Sequence, residues 1–301
     1  MQRLDFRAMG CHMTAVFDAD RPTASLDAVP AWFEAWEQTF SRFRADSELG
    51  QLNQRAGQWV RVSTSLWEVT HLALVAARWT DGLFSPTILN ALEAAGYDRT
   101  FDEITAAAQP VVAQPDGQWR SIQRQSLKRS IYLPPQARLD LSGIVKGWAA
   151  DRAAKKLGVV GPALIDAGGD IAVSGPRADG SSWPIGVMNP FQPDQPFETL
   201  KVAQGGVATS GKDYRRWRRA GEWQHHLIDP RTGLPARNDV LSVTIIAPTT
   251  VEAEIAAKFM AISGDEQGLA WLEEQPGYAA VIVREDGRAV YSAQMENYLW
   301  G

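Results

Sequence analysis

Residues 139–157 read LDLSGIVKGWAADRAAKKL, the end of a strand running into an amphipathic helix, and Lys146 stands in the first turn of that helix. A helix start carries partial positive charge on its unpaired amides, so an ammonium there is locally unfavourable unless an anion shares the position. Amides, dipole and ammonium together suit a phosphate or pyrophosphate. Asp140 and Ser142, just upstream, are residue types that cap such amides, and Gly143 admits a close backbone approach. The plain alternative is a solvated lysine. The segment lacks the GKS ending of a Walker loop, so spacing leaves both readings open.

Three further stretches carry chemistry-bearing residues. DAGGDIAVSG, 166–175, places Gly168 and Gly169 after a short apolar strand, either for a left-handed turn or to let a ligand lie on bare backbone. In VATSGKDYRRW and HHLIDPRTGLP, within 207–235, a histidine at a strand end offers a titratable imidazole as a general base. His226 is the better candidate than His225, because neighbours on a strand face opposite ways. A zinc site built on this pair lacks the helical spacing and the cysteines. RRWRR, 215–219, reads as a solvated face. VEAEIAAKFMAISG, 251–264, sets Glu254 and Lys258 four residues apart on one helix face, ordinarily a surface ion pair.

The elements that must position these residues follow from periodicity and turn chemistry. Residues 12–18 alternate as a strand, and Val29, Trp32, Phe33, Trp36 and Phe40 mark a helix within 27–43. A second helix runs over Leu66–Thr80, and 106–135 mixes loops with a surface hairpin. Strands fall near 199–209 and, strongly buried, at 241–248; a helix follows over 251–263 and a hairpin over 278–292 around the Asp-Gly of EDGR. No linker-like segment interrupts the chain. The expectation is one α+β domain over 1–301, with mixed, largely antiparallel sheets flanked by helices, compact or in two lobes.

Composition narrows the partners. With 301 residues, 45% of them hydrophobic, the chain can bury a large core, and its net charge of -5 argues against nucleic acid as a partner. No stretch approaches the roughly 20 apolar residues of a membrane span. The N-terminal sequence lacks the apolar run of a signal peptide, so a cytoplasmic location is expected. The single cysteine, Cys11, excludes an internal disulfide and reads as a small buried hydrophobe.

Taken in order, AMGCHMTAVF, SRFRADSELGQLN, DGLFSPT, DLSGIVKGWAAD, DAGGDI, ATSG and HHLIDPRTG resemble the ApbE-type flavin transferases, the FAD:protein FMN transferases. The resemblance covers nearly the whole chain and implies an ApbE-like fold. It implies FAD as donor and an acceptor protein whose threonine hydroxyl receives FMN through a phosphoester bond, with release of AMP. It further implies that Lys146 and Asp140 clamp FAD, that Met9, Phe43, Phe84, Ser85 and Pro86 line it, and that His226 activates the acceptor.

Such chemistry needs charge neutralisation at the phosphates, which magnesium ordinarily supplies. By the resemblance, Gly143 offers a carbonyl to that metal and the positions of Glu254 and Lys258 hold its side-chain ligands. Here the chain departs from its apparent relatives, which carry aspartate and threonine at those two positions; a protonated lysine cannot ligate a metal. Ser85 also stands where aspartate is common, and Asp166 where asparagine is usual. Three readings therefore stay open: a transferase, a non-catalytic or metal-independent FAD-binding protein, and a structural or interaction protein of the same fold.

Overall fold

In Gln2–Ala8 every second side chain, Arg3, Asp5 and Arg7, is exposed, while those between are half-buried, the pattern of a strand with one wet face. This strand begins an eight-stranded sheet whose spatial order is also its chain order: Gln2–Ala8, Cys11–Phe17, Ala163–Asp166, Asp170–Val173, Gly205–Gly211, Val240–Ala247, Ala279–Arg284 and Ala289–Tyr291. Every neighbouring pair is antiparallel. The computed structural model describes residues 1–19 and 24–300.

The chain divides into two units, the first comprising Met1–Glu34, Lys146–Asp213 and Asn238–Gly301, the second Ala35–Val145 and Tyr214–Arg237. The sheet belongs to the first. Its inner strand Val240–Ala247 is rich in β-branched residues and buried almost throughout, as expected of a strand covered on both faces. On one face, Val207, Ile246, Ala279 and Val281 pack with Trp183, Ile185, Val187, Leu200 and Val202 of the hairpin Trp183–Met188 and Pro196–Val202. On the other lies the helix Thr250–Ser263, packed on Gly205–Gly211 and Val240–Ala247. That helix is buried nearly all round, which explains its run of alanines.

The second unit builds a three-stranded antiparallel sheet in the order Trp59–Arg61, Ser130–Tyr132, Gln123–Gln125. It also holds the helices Glu48–Gln54, Thr64–Trp79 and Leu89–Ala94. Ser47 and Ser63 cap the first two, each accepting an amide three residues on. The elements read from the sequence agree with the structure to within a few residues, among them the Thr64–Trp79 helix, the Val240–Ala247 strand and the closing hairpin, whereas Gln2–Ala8 and the helices Glu48–Gln54 and Leu89–Ala94 were not read from it.

Three local expectations are corrected. Leu139–Leu141 is not a strand, because among the described residues no neighbouring strand pairs with it. The Asn53 side chain instead takes both polar groups of Leu139, donating to its carbonyl at 2.9 Å and accepting its amide at 2.7 Å. Cys11 is half-buried, because it packs against the Gly168 turn instead of entering the core. RRWRR is not simply solvated: Trp217 is buried with Leu92, Ala95 and Tyr97 and donates its indole N–H to the Ala95 carbonyl at 2.9 Å.

Candidate functional site

The turn Asp166–Asp170 reverses the chain between two paired strands, and its reversal requires left-handed backbone at Gly168 and Gly169, with φ of 71° and 93°. Asp166 stabilises the turn by accepting the Gly169 amide at 2.7 Å. The outcome is two carboxylates at the mouth of one hairpin. Asp170, 3% exposed in its side chain, is ion-paired and hydrogen-bonded to Lys146. Burial pushes the Asp166 carboxyl above the usual range, opposed by the Gly169 amide and the charge of Lys146.

Lys146 is the second residue of the helix Val145–Gly158, as the sequence reading placed it. The expected caps are not used. Asp140 accepts the Ser142 amide at 2.7 Å, a local turn ahead of the helix. An amide of the first turn, that of Gly147, is taken instead by Glu254 of the helix Thr250–Ser263, at 2.9 Å. Conversely, Asp151 of the first helix accepts the Thr250 and Val251 amides at 3.0 and 3.1 Å. Each helix supplies the carboxylate that satisfies the other's start, which also suits the two dipoles. Gly147 is required for this approach: a Cβ there would lie 2.9 Å from both Glu254 Oε2 and the Thr250 carbonyl oxygen.

Glu254 and Lys258 are therefore no surface pair. Glu254 is wholly buried, and Lys258 keeps 18% of its side chain exposed while its Nζ donates to Glu254 Oε1 at 2.9 Å. Burial pushes the Glu254 carboxyl up, yet the charges of Lys258 and Lys146 and the bonds donated by Lys258 and Gly147 outweigh it, and the group lies below its ordinary range.

These residues do not fit the magnesium site that the resemblance implied. Both Glu254 oxygens already accept a donor, one of them a cation. At about 4 Å, a divalent ion and an ammonium repel by about 8 kcal/mol at an effective dielectric near 20, twice the unit-charge value. Among the described residues, no group of three or more His, Cys, Asp or Glu side chains could hold a metal ion. Met9, also in this unit, sits at the tip of the hairpin joining Gln2–Ala8 to Cys11–Phe17, half-buried and in left-handed backbone with φ of 50°.

In the second unit, Asp140 is paired with Arg42, Nε to Oδ2 at 3.2 Å, both side chains at most 5% exposed. The Arg42 guanidinium lies over the rings of Phe43 and Tyr97, 4.1 and 4.6 Å from their centroids. Phe43 itself is 41% exposed. Phe84, Ser85 and Pro86 are buried, and the Pro86 carbonyl accepts the Asp140 amide at 2.8 Å. Ser85 and Thr87 both donate to Asp116, which closes the FSPT turn. Gly143 lies half-buried in the turn ahead of the Val145–Gly158 helix. His226 follows the strand Glu222–His225 and is half-buried, while the ring Nε2 of His225 lies 3.1 Å from the Ala236 carbonyl oxygen. Asp229 is engaged within its own turn by Arg231, 2.8 Å from Nη2 to Oδ2.

Four positioning carboxylate or guanidinium groups escaped the sequence reading: Arg42, Asp116, Asp151 and Asp170. Asp170 carried a signal, being the second acid around a Gly-Gly turn. Arg42 precedes the singled-out Phe43 in SRFRADSELGQLN. Asp116 and Asp151 act on residues far away in sequence and left no local mark.

Fold and site together define an α+β protein with a lysine–carboxylate cluster at the start of a buried helix. A sequence profile of the ApbE family matches residues 9–282, and the chain belongs to that family. It is 31% identical over 298 residues to an FAD:protein FMN transferase of Treponema pallidum, covering 90% of this chain and 80% of the relative. With the FAD:protein FMN transferase of Escherichia coli K12 it shares 26% over 289 residues, covering 93% and 79%. The fold matches that of the crystallised ApbE protein of Thermotoga maritima with a TM-score of 0.87 at 24% identity, over 100% of this chain and 99% of that one. The flavin transferase ApbE of Vibrio cholerae matches at 0.81 and 23%, over 99% of both chains.

Proposed function

We propose that this chain is an FAD:protein FMN transferase, moving FMN from FAD onto a threonine hydroxyl of an acceptor protein and releasing AMP. Family membership over residues 9–282, with relatives bearing that name, is the observation that carries it. In the reaction, the threonine Oγ bonds to the FMN phosphorus, the bond from that phosphorus to the bridging oxygen breaks, and AMP leaves with that oxygen. The hydroxyl proton passes to His226. Lys146, held at the helix start by Asp170, is the proposed partner of the pyrophosphate. Asp140, Met9, Phe43, Phe84, Ser85 and Pro86 are proposed FAD contacts on the strength of the resemblance.

The test is incubation of the purified chain with FAD and a threonine-bearing acceptor, following AMP by chromatography and covalent flavin by mass. Equal amounts of AMP and flavinylated acceptor support the transferase, and both should fall sharply in His226→Ala. An acceptor that stays flavin-free without AMP removes it. A second reading, a non-catalytic FAD-binding protein, is favoured by the Lys258–Glu254 pair; it predicts bound FAD and no AMP. No helix among the described residues is long and apolar enough to cross a membrane.

A further inference from the structure

Glu254 is a wholly buried carboxylate with both oxygens in use, one by the Lys258 ammonium and one by the Gly147 amide. Two ammonium groups, Lys258 and Lys146, act electrostatically on this one carboxylate, and Lys146 is also bound to Asp170 and acts on Asp166. Positive charge at the paired helix starts is thus supplied by the chain itself, on side chains that are each less than a fifth exposed. A group so enclosed is preorganised: it pays little reorganisation when a phosphate charge arrives.

We propose that the Lys258 ammonium takes the place of a divalent cation beside Glu254, so that this chain binds its dinucleotide without a divalent metal. The dinucleotide part rests on the FAD reading above; the exclusion of metal rests on the Lys258–Glu254–Gly147 geometry alone. Lys258 is then a charge-supplying residue that a conservative arginine should replace, whereas loss of the charge should open Glu254 to a metal ion.

The experiment uses the full chain, freed of metal with EDTA and dialysed, with Mn2+ as the probe read by the electron paramagnetic resonance of the free ion. FAD binding is followed in parallel by flavin fluorescence, with EDTA and with Mg2+. The native chain should leave the Mn2+ signal undiminished with or without FAD and bind FAD equally under both conditions. Lys258→Thr combined with Glu254→Asp should bind Mn2+ about tenfold or more tightly than the native chain, as expected when a neighbouring positive charge is removed. Lys258→Arg, which keeps the charge, should still exclude Mn2+; this variant keeps the test sound if the double variant does not fold, judged by circular dichroism. Stoichiometric Mn2+ uptake by the native chain, abolished in Glu254→Gln, or FAD binding only with Mg2+, overturns the proposal. If FAD binds under neither condition the flavin reading fails, and the Mn2+ measurement still decides the role of Lys258.

Discussion

Asp151 and Glu254 cap one another's helices: Asp151 accepts the Thr250 and Val251 amides at 3.0 and 3.1 Å, and Glu254 accepts the Gly147 amide at 2.9 Å. Helix starts leave amides that water normally satisfies, and burial removes the water. Burial also pushes the Asp151 carboxyl above its usual range, against the lowering effect of the Thr250 and Val251 amides. Asp151→Ala should therefore lower the free energy of unfolding by about 2–3 kcal/mol, since two buried donors lose their acceptor, while Asp151→Asn, which keeps one acceptor oxygen, should cost about 1 kcal/mol. Urea unfolding followed by circular dichroism checks both; equal stability in Asp151→Ala would contradict the capping role.

Gly147 is where the helices come closest. Gly147→Ala forces a methyl to 2.9 Å from Glu254 Oε2 and from the Thr250 carbonyl oxygen, both held in place. Overpacking of this kind costs about 1–3 kcal/mol, more than alanine gains by its helix propensity. Thermal unfolding should show a lowered midpoint.

Glu254 should leave its mark on the acid limb of stability. Its carboxyl is held below the ordinary value of 4.5 in the folded chain, so its contribution is complete above that value and is lost as pH falls through the lower folded value. Glu254→Gln removes this contribution and leaves Lys258 without its partner. The stability gap between native chain and variant should therefore be widest near neutral pH and close steadily below about pH 4.5. A gap unchanged down to pH 3 would show that the fold does not hold the Glu254 carboxyl below its ordinary range.

Lys146→Ala is expected to weaken FAD binding by about tenfold or more, the loss of a charge-assisted bond to phosphate. Asp170, nearly fully buried, loses its partner in the same variant. Fluorescence titration must therefore be paired with an unfolding curve. Lys146→Arg, which retains the charge, should bind FAD better than Lys146→Ala.

The Arg42–Asp140 pair is nearly as well buried as Glu254. Arg42→Ala should cost about 3–5 kcal/mol, because it strands a buried carboxylate. Arg42→Met with Asp140→Leu, which removes both charges, should cost less than either single change. A chemical-denaturation series over Arg42→Ala, Arg42→Met, Asp140→Leu and the double variant decides this.

What the sequence disclosed depends on how far each interaction reaches. The Thr64–Trp79 helix was readable because its apolar spacing and its Ser63 cap are local. The Asp-Gly hairpin near 286 was readable for the same reason, as was the position of Lys146 in its helix's first turn. Asp151 gave no sign of its role, since the amides it takes lie about a hundred residues onward. Glu254 and Lys258 presented the ordinary spacing of a surface pair, and only the packing of their helix against the sheet shows that they are enclosed. Leu139 looked like strand for a similar reason: its apolar neighbourhood is local, but Asn53, 86 residues earlier, takes both of its backbone polar groups.

The eight-stranded sheet ends on Gln2–Ala8 at one side and on the three-residue strand Ala289–Tyr291 at the other. A free strand border invites a second molecule to add itself. Here one border alternates Arg3, Asp5 and Arg7 outward and the other is too short to template much pairing. The molecule thereby protects itself during folding against growing sideways into an aggregate, and replacing Arg3 and Arg7 with valine would take that protection away.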